Sequence, residues 1–360
     1  MAHQGSQLKI KMKFLFVGLG GIGQRHLRNL RKILGDDLDI IAYRERNLSQ
    51  VINNTLSVEE GLNVEEYYGV KIFDSIEKAL DEKPIAAFIC NPTSKHLKVA
   101  SIAAEYGCHL FIEKALSDTL DGIEDLFKIV EKNKLTCMVG YQMRFHPCLY
   151  NLKKIIDNNE LGRIISVSCE VGEYMPGWHK YEDYRNLYAA RKDLGGGVVI
   201  SQIHEFDYIY WLFGFPSKIF TIGGHLSNLE IDVEDVAVTL MECHKDGFLI
   251  PIHLHQDYLQ QPPSRTCKVI GVKGKAELDF IKLTFTQYDE QGNIKVNLDF
   301  KGFDRNQLFI DELEHFVNCL KNQIVPSISL KDGAASLQMA LGAKESIESG
   351  KFASLQNVFK

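Results

Sequence analysis

Three glycines near the start of the chain have a spacing that suits the binding of a dinucleotide phosphate. Gly18, Gly20 and Gly23 form a G-x-G-x-x-G pattern directly after an apolar run of strand length. The first glycine of such a pattern permits a tight turn, the second leaves room for a pyrophosphate, and the third lets a helix pack closely on the strand. The phosphate then lies on free N–H groups at the helix start, here Gly21 and Ile22. We predict a dinucleotide site, with a plain glycine turn as the alternative.

Further polar side chains follow two apolar runs at the points where those runs end. The runs, 85–90 and 108–112, have the length and composition of buried parallel strands. Ligands of parallel α/β sheets bind beyond the carboxyl ends of the strands. We therefore expect a second part of the cofactor site there. Its members are Asn91, Pro92, Thr93, His96, Glu113 and Lys114.

The end of the strand candidate 38–43 indicates which dinucleotide is bound. An acidic residue about 20 residues beyond the last glycine binds the ribose 2′-hydroxyl of NAD, whereas an arginine there accommodates the 2′-phosphate of NADP. Arg44 occupies that region of the sequence, and its guanidinium suits a phosphate. The alternative is that Arg44 and Arg46 are solvated loop charges and Glu45 serves NAD. The pattern predicts NADP or NAD as the cofactor and favours NADP.

The elements that must position these residues alternate between strand and helix. Strands are predicted at 14–17, 38–43, 85–90, 108–112 and 136–139, and helices at 22–34, 94–106 and 119–133. This alternation predicts a Rossmann-type, doubly wound parallel sheet. We assign residues 12–140 to this dinucleotide-binding domain. The arginines of the first helix are interpreted as its solvated face.

The pattern changes after Gly140. Strands are predicted at 162–170, 219–223, 236–243, 248–255, 265–272, 275–280 and 282–288, and helices at 198–213, 305–322 and 331–348. Runs of strands without intervening helices favour antiparallel pairing. We therefore predict a C-terminal α/β domain over 141–360, with a large open, mostly antiparallel sheet. The helix at 198–213 is apolar, yet it carries several polar residues after a triple glycine.

Length and composition exclude several classes of protein. The chain has 360 residues, which favours two domains. Its formal charge of −6 provides no electrostatic footprint for nucleic acid. No apolar run approaches the ~20 residues needed to cross a bilayer, and residues 1–11 lack the apolar core of a signal peptide. We expect a cytoplasmic protein without membrane or nucleic-acid partners. The eight cysteines include no C-x-x-C pair, so neither disulfides nor a metal site is expected.

The ordered set of motifs resembles a known family. The set comprises the early G-x-G-x-x-G, Asn91-Pro92-Thr93, Glu113-Lys114 and the triple glycine 195–197 before His204-x-x-Asp207-x-x-x-Trp211-Leu212-x-Gly214. Together these look like the glucose–fructose oxidoreductase and inositol dehydrogenase (Gfo/Idh/MocA) family of NAD(P)-dependent oxidoreductases. The similarity covers nearly the whole chain from Met12.

The resemblance implies an activity and an assembly. Family members hold the cofactor between a Rossmann domain and a C-terminal α/β domain, and they act on sugars, cyclitols or related polyols. Their open sheet often forms an oligomer interface, which implies a homodimer or homotetramer here. The segment 178–197 and the segment 257–265 are similar to a branch associated with bacterial surface-sugar biosynthesis.

Two positions depart from the family pattern. The family's E-K-P motif reads Glu113-Lys114-Ala115 here, so the lysine is present and the proline, often cis, is absent. The family also places an aspartate three or four residues before its histidine, where this chain has Ser201 or Ile200. Asp207, three residues after His204, is the carboxylate that could share a helix face with it.

The resemblance also implies roles for individual residues. His204 would exchange the hydroxyl proton, as its ordinary pKa near neutrality allows, and Lys114 would orient the oxygen and stabilise negative charge on it. The aromatic and charged loop after the predicted strand 162–170 would hold a polyhydroxylated ring, with an ordinary surface loop as the alternative. The substrate-binding candidates are Trp178, Tyr181, Asp183, Tyr184, Arg185 and His204. Tyr141, Arg144 and His146 either line the cleft or lie at the domain hinge.

Two other functions remain open at this point. The missing aspartate and proline suit a cofactor-binding sensor or regulator of the same fold without turnover. A dehydrogenase for an imine or tetrapyrrole would be favoured if residues 178–191 lay far from the cofactor. His253 and His255 alternate on one strand face, but no third metal ligand accompanies them, so we assign them a structural role.

Overall fold

The computed structural model describes residues 11–45, 49–53, 55–179 and 181–359. The strands of its first part are β1 (Met12–Val17), β2 (Leu38–Tyr43), β3 (Gln50–Ile52), β4 (Val58–Asn63), β5 (Lys71–Phe73), β6 (Ala86–Ile89), β7 (His109–Glu113) and β8 (Cys137–Gly140). Six of these strands form a fully parallel sheet with the order β5-β2-β1-β6-β7-β8. β3 and β4 form a separate antiparallel hairpin that the sequence did not predict. The predicted doubly wound Rossmann sheet is confirmed, with its strand order reversing between β1 and β6.

Helices connect the parallel strands. They are α1 (Gly21–Leu34), α2 (Val64–Tyr68), α3 (Ile76–Leu80), α4 (His96–Glu105) and α5 (Ile123–Lys132). α1 is strongly amphipathic and buries Leu27 and Leu30 against the sheet. β6 is buried along its whole length, as expected for a continuous apolar run in a parallel sheet.

The second part of the chain builds a nine-stranded, mostly antiparallel sheet with the order β16-β15-β14-β13-β9-β12-β11-β10-β17. Its strands are β9 (Ile164–Gly172), β10 (Lys218–Gly224), β11 (Val236–Lys245), β12 (Phe248–Asp257), β13 (Ser264–Gly271), β14 (Gly274–Asp279), β15 (Thr284–Tyr288), β16 (Ile294–Asp299) and β17 (Ala353–Ser354). Only β9 and β12 pair in parallel among the described strands of this sheet. The predicted fold class of this domain is therefore also confirmed.

Five further helices accompany this sheet: α6 (Pro147–Asp157), α7 (Val198–Ser201), α8 (His204–Phe213), α9 (Asn306–Asn322) and α10 (Leu330–Ser349). The predicted single helix over 198–213 is wrong, because the backbone leaves helical geometry at Gln202, where φ is −100° and ψ is 37°. The chain therefore starts a second helix at His204. Among the described residues, no helix is both long enough and apolar enough to cross a membrane.

The last two helices return to the first sheet. Phe316 of α9 contacts Phe88 and Phe111, with ring centroids 5.7 and 5.5 Å apart. Ser329, which caps α10, forms a bridge with Met138 of β8. These contacts join the two sheets around one continuous hydrophobic core.

Candidate active site

The glycine turn after β1 has the geometry that a dinucleotide requires. Gly18 has φ of +93°, and a Cβ there would lie 2.9 Å from the Cys90 carbonyl oxygen. A Cβ on Gly23 would lie 2.3 Å from the Gly18 carbonyl oxygen, so only glycine allows α1 to approach β1 this closely. Gly20, by contrast, faces open space, because a Cβ added there would have no described protein atom within 4 Å. That space at the start of α1 fits a pyrophosphate.

Alanine substitutions should separate these two roles. Gly20→Ala is expected to change the free energy of unfolding by less than about 0.5 kcal/mol, because its Cβ meets no described protein atom. It should weaken NADH binding about tenfold or more, since hydrogen bonds to a charged group contribute about 1.5–3 kcal/mol. Gly23→Ala is expected to destabilise the fold by about 1–3 kcal/mol or more through overpacking. Urea unfolding and NADH titration of both variants test this prediction. Equal losses of the free energy of unfolding in the two variants would contradict the separation of roles.

A cavity of about 660 Å³ begins at this turn and extends between the two domains. It collects residues from the carboxyl ends of β1, β2, β6 and β7, as expected for a parallel α/β sheet. The predicted site residues that line it are Gly18, Gly20, Gly21, Ile22, Arg44, Asn91, Pro92, Thr93, His96, Glu113, Lys114, Trp178, Tyr181 and His204. The structure therefore brings both halves of the expected site to one cavity.

Three predicted substrate residues are not brought to the cavity. Asp183 and Arg185 form an ion pair at 2.5 Å, and Arg185 also contacts Glu230 at 2.9 Å. The Tyr184 hydroxyl accepts a hydrogen bond from the Glu230 amide. The hydrogen bonds from Arg185 lower the pKa of Asp183 to about 2. Asp183, Tyr184 and Arg185 therefore have their partners within this loop and at Glu230, and none of the three lines the cavity.

Glu113 is the last residue of β7 and Lys114 follows it, and the two side chains have different partners. Glu113 is buried, and its Oε1 lies 2.5 Å from His26 Nε2 of α1. Burial alone would raise the pKa of Glu113, but His26 and Lys114 outweigh burial and lower it. Lys114 Nζ donates to the Ser201 carbonyl oxygen at 2.8 Å and lies 3.4 Å from the Tyr188 hydroxyl. The peptide bond between residues 114 and 115 is cis although no proline is present.

His204 lies in the same cavity at the first position of α8. Its Nε2 lies 3.2 Å from Gln142 Nε2, and its Nδ1 has no hydrogen-bond partner among the described residues. Burial lowers the pKa of His204 well below the ordinary value, and the positive charges of Lys114, Arg265 and Arg305 lower it further. The imidazole is therefore neutral at neutral pH and able to accept a proton.

Asp207 does not support His204. It is fully buried and forms an ion pair with Arg144, with distances of 2.9 Å from Nε to Oδ2 and 2.6 Å from Nη2 to Oδ1. Arg144 also contacts Asp332 at 3.2 Å. Arg144 thus connects α8 with α10 and takes no part in lining the cavity. Tyr141 is also buried, with its ring edge-on to His204 at 5.8 Å.

The part of the cavity next to the end of β2, its predicted ribose end, contains both charges considered from the sequence. Arg44 pairs with Glu65 at 2.8 Å, and Glu45 pairs with Lys95. Arg44, Glu45 and Lys95 all line the cavity. Arg46 lies outside the described residues. Arg44 and Glu45 therefore both lie where the sequence predicts the ribose.

Several buried polar atoms of the cavity are available to a ligand. Asn91 Oδ1, Trp178 Nε1 and His204 Nδ1 have no partner among the described residues. The open space at Gly20 adds a cradle at the start of α1. His96 differs, because its two ring nitrogens each lie 2.8 Å from a backbone carbonyl, those of Asn91 and Ala115. His96 therefore connects the segments that follow β6 and β7. The unpartnered atoms and the space at Gly20 fit a nicotinamide dinucleotide.

Several residues that line the cavity were not predicted from the sequence as site residues. They are Arg25, Gln142, Glu173, His179, Tyr188, Arg265 and Arg305. The interpretation of the α1 arginines as a solvated face holds for the exposed Arg31 and is wrong for two others: Arg25 lines the cavity, and Arg28 donates to the Ile52 carbonyl oxygen at 2.7 Å. The spacing of Arg25 from Ile22, three residues earlier on the same helix face, could have revealed it. Arg265 and Arg305 reach the site through tertiary folding, for which no local pattern exists.

All eight cysteines are buried and free. Among the residues that the structure describes, no group of three or more His, Cys, Asp or Glu side chains could hold a metal ion. His255 instead pairs with Asp257 at 2.8 Å, which raises the pKa of His255.

The glycine turn and a cavity that contains both Lys114 and His204 are features expected of a dinucleotide-dependent oxidoreductase. Residues 12–141 match the family model described as an oxidoreductase family with an NAD-binding Rossmann fold, and residues 150–277 match the GFO/IDH/MocA C-terminal domain. The chain therefore belongs to the Gfo/Idh/MocA family. It is an NAD(P)-dependent dehydrogenase or reductase acting on CH–OH groups.

Related proteins extend over the whole chain. A myo-inositol 2-dehydrogenase of Thermotoga maritima is 26% identical over 358 residues, covering 96% of this chain and 99% of the relative. A UDP-N-acetylglucosamine 3-dehydrogenase from Acidithiobacillus ferrooxidans has a TM-score of 0.73 at 20% identity, covering 94% and 99% of the two chains. A Bordetella pertussis dehydrogenase solved with NADH and UDP-GlcNAcA has a TM-score of 0.77 at 19% identity, covering 96% and 99%. The two structural similarities concern the fold.

Proposed function

We propose that this chain transfers hydride between a nicotinamide cofactor and a sugar or sugar-derived polyol, and that it serves surface-carbohydrate biosynthesis. The observation that carries the proposal is the presence of Lys114 and His204 in the cavity that starts at the glycine turn. The names of the inositol and UDP-sugar dehydrogenases to which the chain is similar support a polyhydroxylated substrate.

The two side chains divide the work of alcohol oxidation. A bound nicotinamide supplies the hydride acceptor. His204 takes the hydroxyl proton, because its lowered pKa keeps the imidazole neutral. Lys114 donates a hydrogen bond to the reacting oxygen and stabilises the negative charge that develops there. Its Nζ already lies 2.8 Å from the Ser201 carbonyl oxygen, which fixes its direction towards α7.

The loop after β9 supplies the wall over the cofactor. The Tyr181 hydroxyl would lie 3.0 Å from a Cβ on Gly21, so it reaches the start of α1. Its ring stacks on His179 at 5.1 Å, and Trp178 packs edge-on against Tyr258 at 5.2 Å. Trp178, Tyr181 and His204 are proposed to contact the substrate. Since the loop lies beside the cofactor turn, the condition that would favour an imine or tetrapyrrole substrate is not met.

A direct test follows the fluorescence and absorbance of the reduced nicotinamide while sugars, inositols and nucleotide sugars are added. Each candidate is tested with both the oxidised and the reduced cofactor, because either direction of hydride transfer changes the amount of reduced nicotinamide. Turnover with at least one polyol is expected. Cofactor binding without turnover on any carbohydrate would contradict the proposed substrate class.

NADP is the proposed cofactor because Arg44 lies at the ribose end of the cavity. Calorimetric titration should show tighter binding of NADPH than of NADH. Arg44→Ala should weaken NADPH binding about ten- to a hundredfold, the scale of a lost hydrogen bond to a charged group, while NADH binding is retained. Tighter binding of NADH to the wild type, or an unchanged NADPH affinity in the variant, would assign the ribose contact to Glu45 instead.

The domain boundary, assembly and location are proposed on the same basis. Residues 12–140 are proposed to bind the cofactor and residues 141–360 to bind the substrate and to oligomerise. The open sheet exposes the apolar side chains Ile222, Leu240 and Phe248, which favours a homodimer or homotetramer through this face. A cytoplasmic location accords with eight free cysteines.

A further inference from the structure

Three arginines from distant parts of the chain line the cavity. Arg25 lies in α1, Arg265 lies in β13, and Arg305 directly precedes α9. Arg265 is neutralised locally, because its Nε donates to the buried Glu205 carboxylate at 2.7 Å. Among the described residues, the other two arginines do not have such a partner.

Arg25 and Arg305 are cations with unused hydrogen-bond donors. Within the part of the chain that the structure describes, neither guanidinium donates a hydrogen bond or forms an ion pair. Arg25 lies over the ring of Phe309, 4.7 Å from its centroid, which holds its guanidinium in place and leaves its N–H groups free. Arg305 is exposed to solvent at the cavity wall. A guanidinium offers several donors in a planar fork that matches the oxygens of a carboxylate or phosphate.

The surrounding carboxylates do not neutralise these two arginines by direct contact. Glu113 and Asp304 act on Arg25 through space, and Glu173 acts on Arg305. Glu113 is already hydrogen-bonded to a histidine. Burial lowers the pKa of Arg25, and the charge of Arg305 lowers it further. Two like charges that repel each other in a cavity are stabilised when an anion lies between them.

Arg305 lies in a different domain from the residues that are expected to hold the cofactor's phosphates. The pyrophosphate fits the open space at Gly20, and Arg44 lies at the ribose end. Arg305 belongs to the C-terminal domain, and its charge acts on His204. A group bound there would therefore be part of the molecule whose hydroxyl reaches His204.

We propose that Arg25 and Arg305 form an anion subsite, so that the substrate is a sugar or polyol carrying a carboxylate or phosphate group. This inference rests on the proposed function, since it assigns a further contact to the same substrate. The subsite orients the substrate by its charge, while Lys114 and His204 act on its hydroxyl. Its donors recognise the oxyanion that carboxylates and phosphates share.

Binding to the NADH-loaded protein tests this subsite without requiring turnover. The probes are D-glucose as the neutral reference, D-glucuronate for a carboxylate, D-glucose 6-phosphate for a phosphate, and UDP-glucuronate for both groups. We expect at least one anionic probe to bind about tenfold or more tightly than glucose, and this preference to shrink as salt screens the charges. The anionic probe that binds identifies the chemical source of the charge.

Arg305→Gln should weaken binding of that anionic probe about ten- to a hundredfold, the scale of lost charge-assisted hydrogen bonds. Arg25→Gln should have a similar effect, and both variants should keep their affinity for glucose and NADH. Arg163→Gln is the matched control, because Arg163 is exposed and lies over Phe248 outside the cavity. Arg163→Gln should leave the affinities for the anionic probe, glucose and NADH unchanged.

Three results would overturn the anion subsite. They are an absence of charge preference in the wild type, an anionic affinity that Arg305→Gln leaves unchanged, and an equal loss of NADH affinity in both variants, which would assign the arginines to the cofactor. Failure of the wild type to bind either NADH or NADPH would overturn the proposed function itself. The cofactor titration therefore distinguishes the two failures.

Discussion

Lys114→Met is expected to lower kcat by about ten- to a thousandfold, the cost of removing one donor that stabilises negative charge in the transition state. Methionine keeps most of the length and volume of the lysine stem, so the packing around this side chain should persist. NADH affinity should be retained, because the glycine turn and the ends of β1 and β6 supply the other cofactor contacts. Steady-state kinetics beside NADH titration separate the two effects.

The matched control is Lys98→Met, which removes an exposed lysine from α4 outside the cavity. It should change kcat by less than about twofold, as surface substitutions do. If Lys114→Met had the same kcat as this control, Lys114 would have no part in the chemical step. A loss of NADH affinity alone would make Lys114 a cofactor ligand.

His204→Asn is expected to lower the rate of alcohol oxidation by about a hundred- to ten-thousandfold, the contribution typical of a positioned general base. Asparagine can keep a polar contact with Gln142, which lies 3.2 Å from the imidazole, but it cannot accept the proton. His253→Asn is the control, because His253 lies on the sheet outside the cavity. Equal rates for the two variants would remove His204 from the proton transfer.

The pH dependence of the wild type provides a second readout. Since burial and nearby cations lower the pKa of His204 well below 6.5, the imidazole is protonated only in acidic solution. Oxidation should therefore be level from about neutral pH down to below the ordinary histidine pKa of about 6.5, and it should fall as the pH drops further. A fall centred on neutral pH that is absent from His204→Asn would contradict the lowered pKa.

Local patterns predicted the parts of the site that depend on local structure. The apolar run before Gly18 could form only a buried strand, and three glycines after it required a tight turn and a close helix. Asn91 and Lys114 follow such runs, so the rule for the carboxyl ends of parallel strands placed them correctly in one cavity.

Other parts of the site depend on contacts between residues far apart in the chain. Asp207 is one helical turn from His204, yet it turns to Arg144, which lies 63 residues earlier and offers two hydrogen bonds to a buried carboxylate. A buried charge must be paired, and a guanidinium satisfies it better than a neutral imidazole. The interruption at Gln202 similarly follows tertiary contacts, since its side chain donates to the Asp257 carbonyl oxygen at 2.9 Å. The helical periodicity of the sequence therefore predicts neither the ion pair of Asp207 with Arg144 nor the interruption at Gln202.

Because α9 packs against the first sheet, the Rossmann domain and the C-terminal domain are not structurally independent. Phe316 belongs to the second half of the sequence, yet its ring packs edge-on against the stacked rings of Phe88 and Phe111 in the interior next to the Rossmann sheet. A fragment ending at residue 140 would leave that interior open to water. The Rossmann domain therefore cannot be transferred alone. A chimaera that exchanges C-terminal domains between relatives has to exchange α9 together with the surface of the Rossmann sheet that α9 contacts.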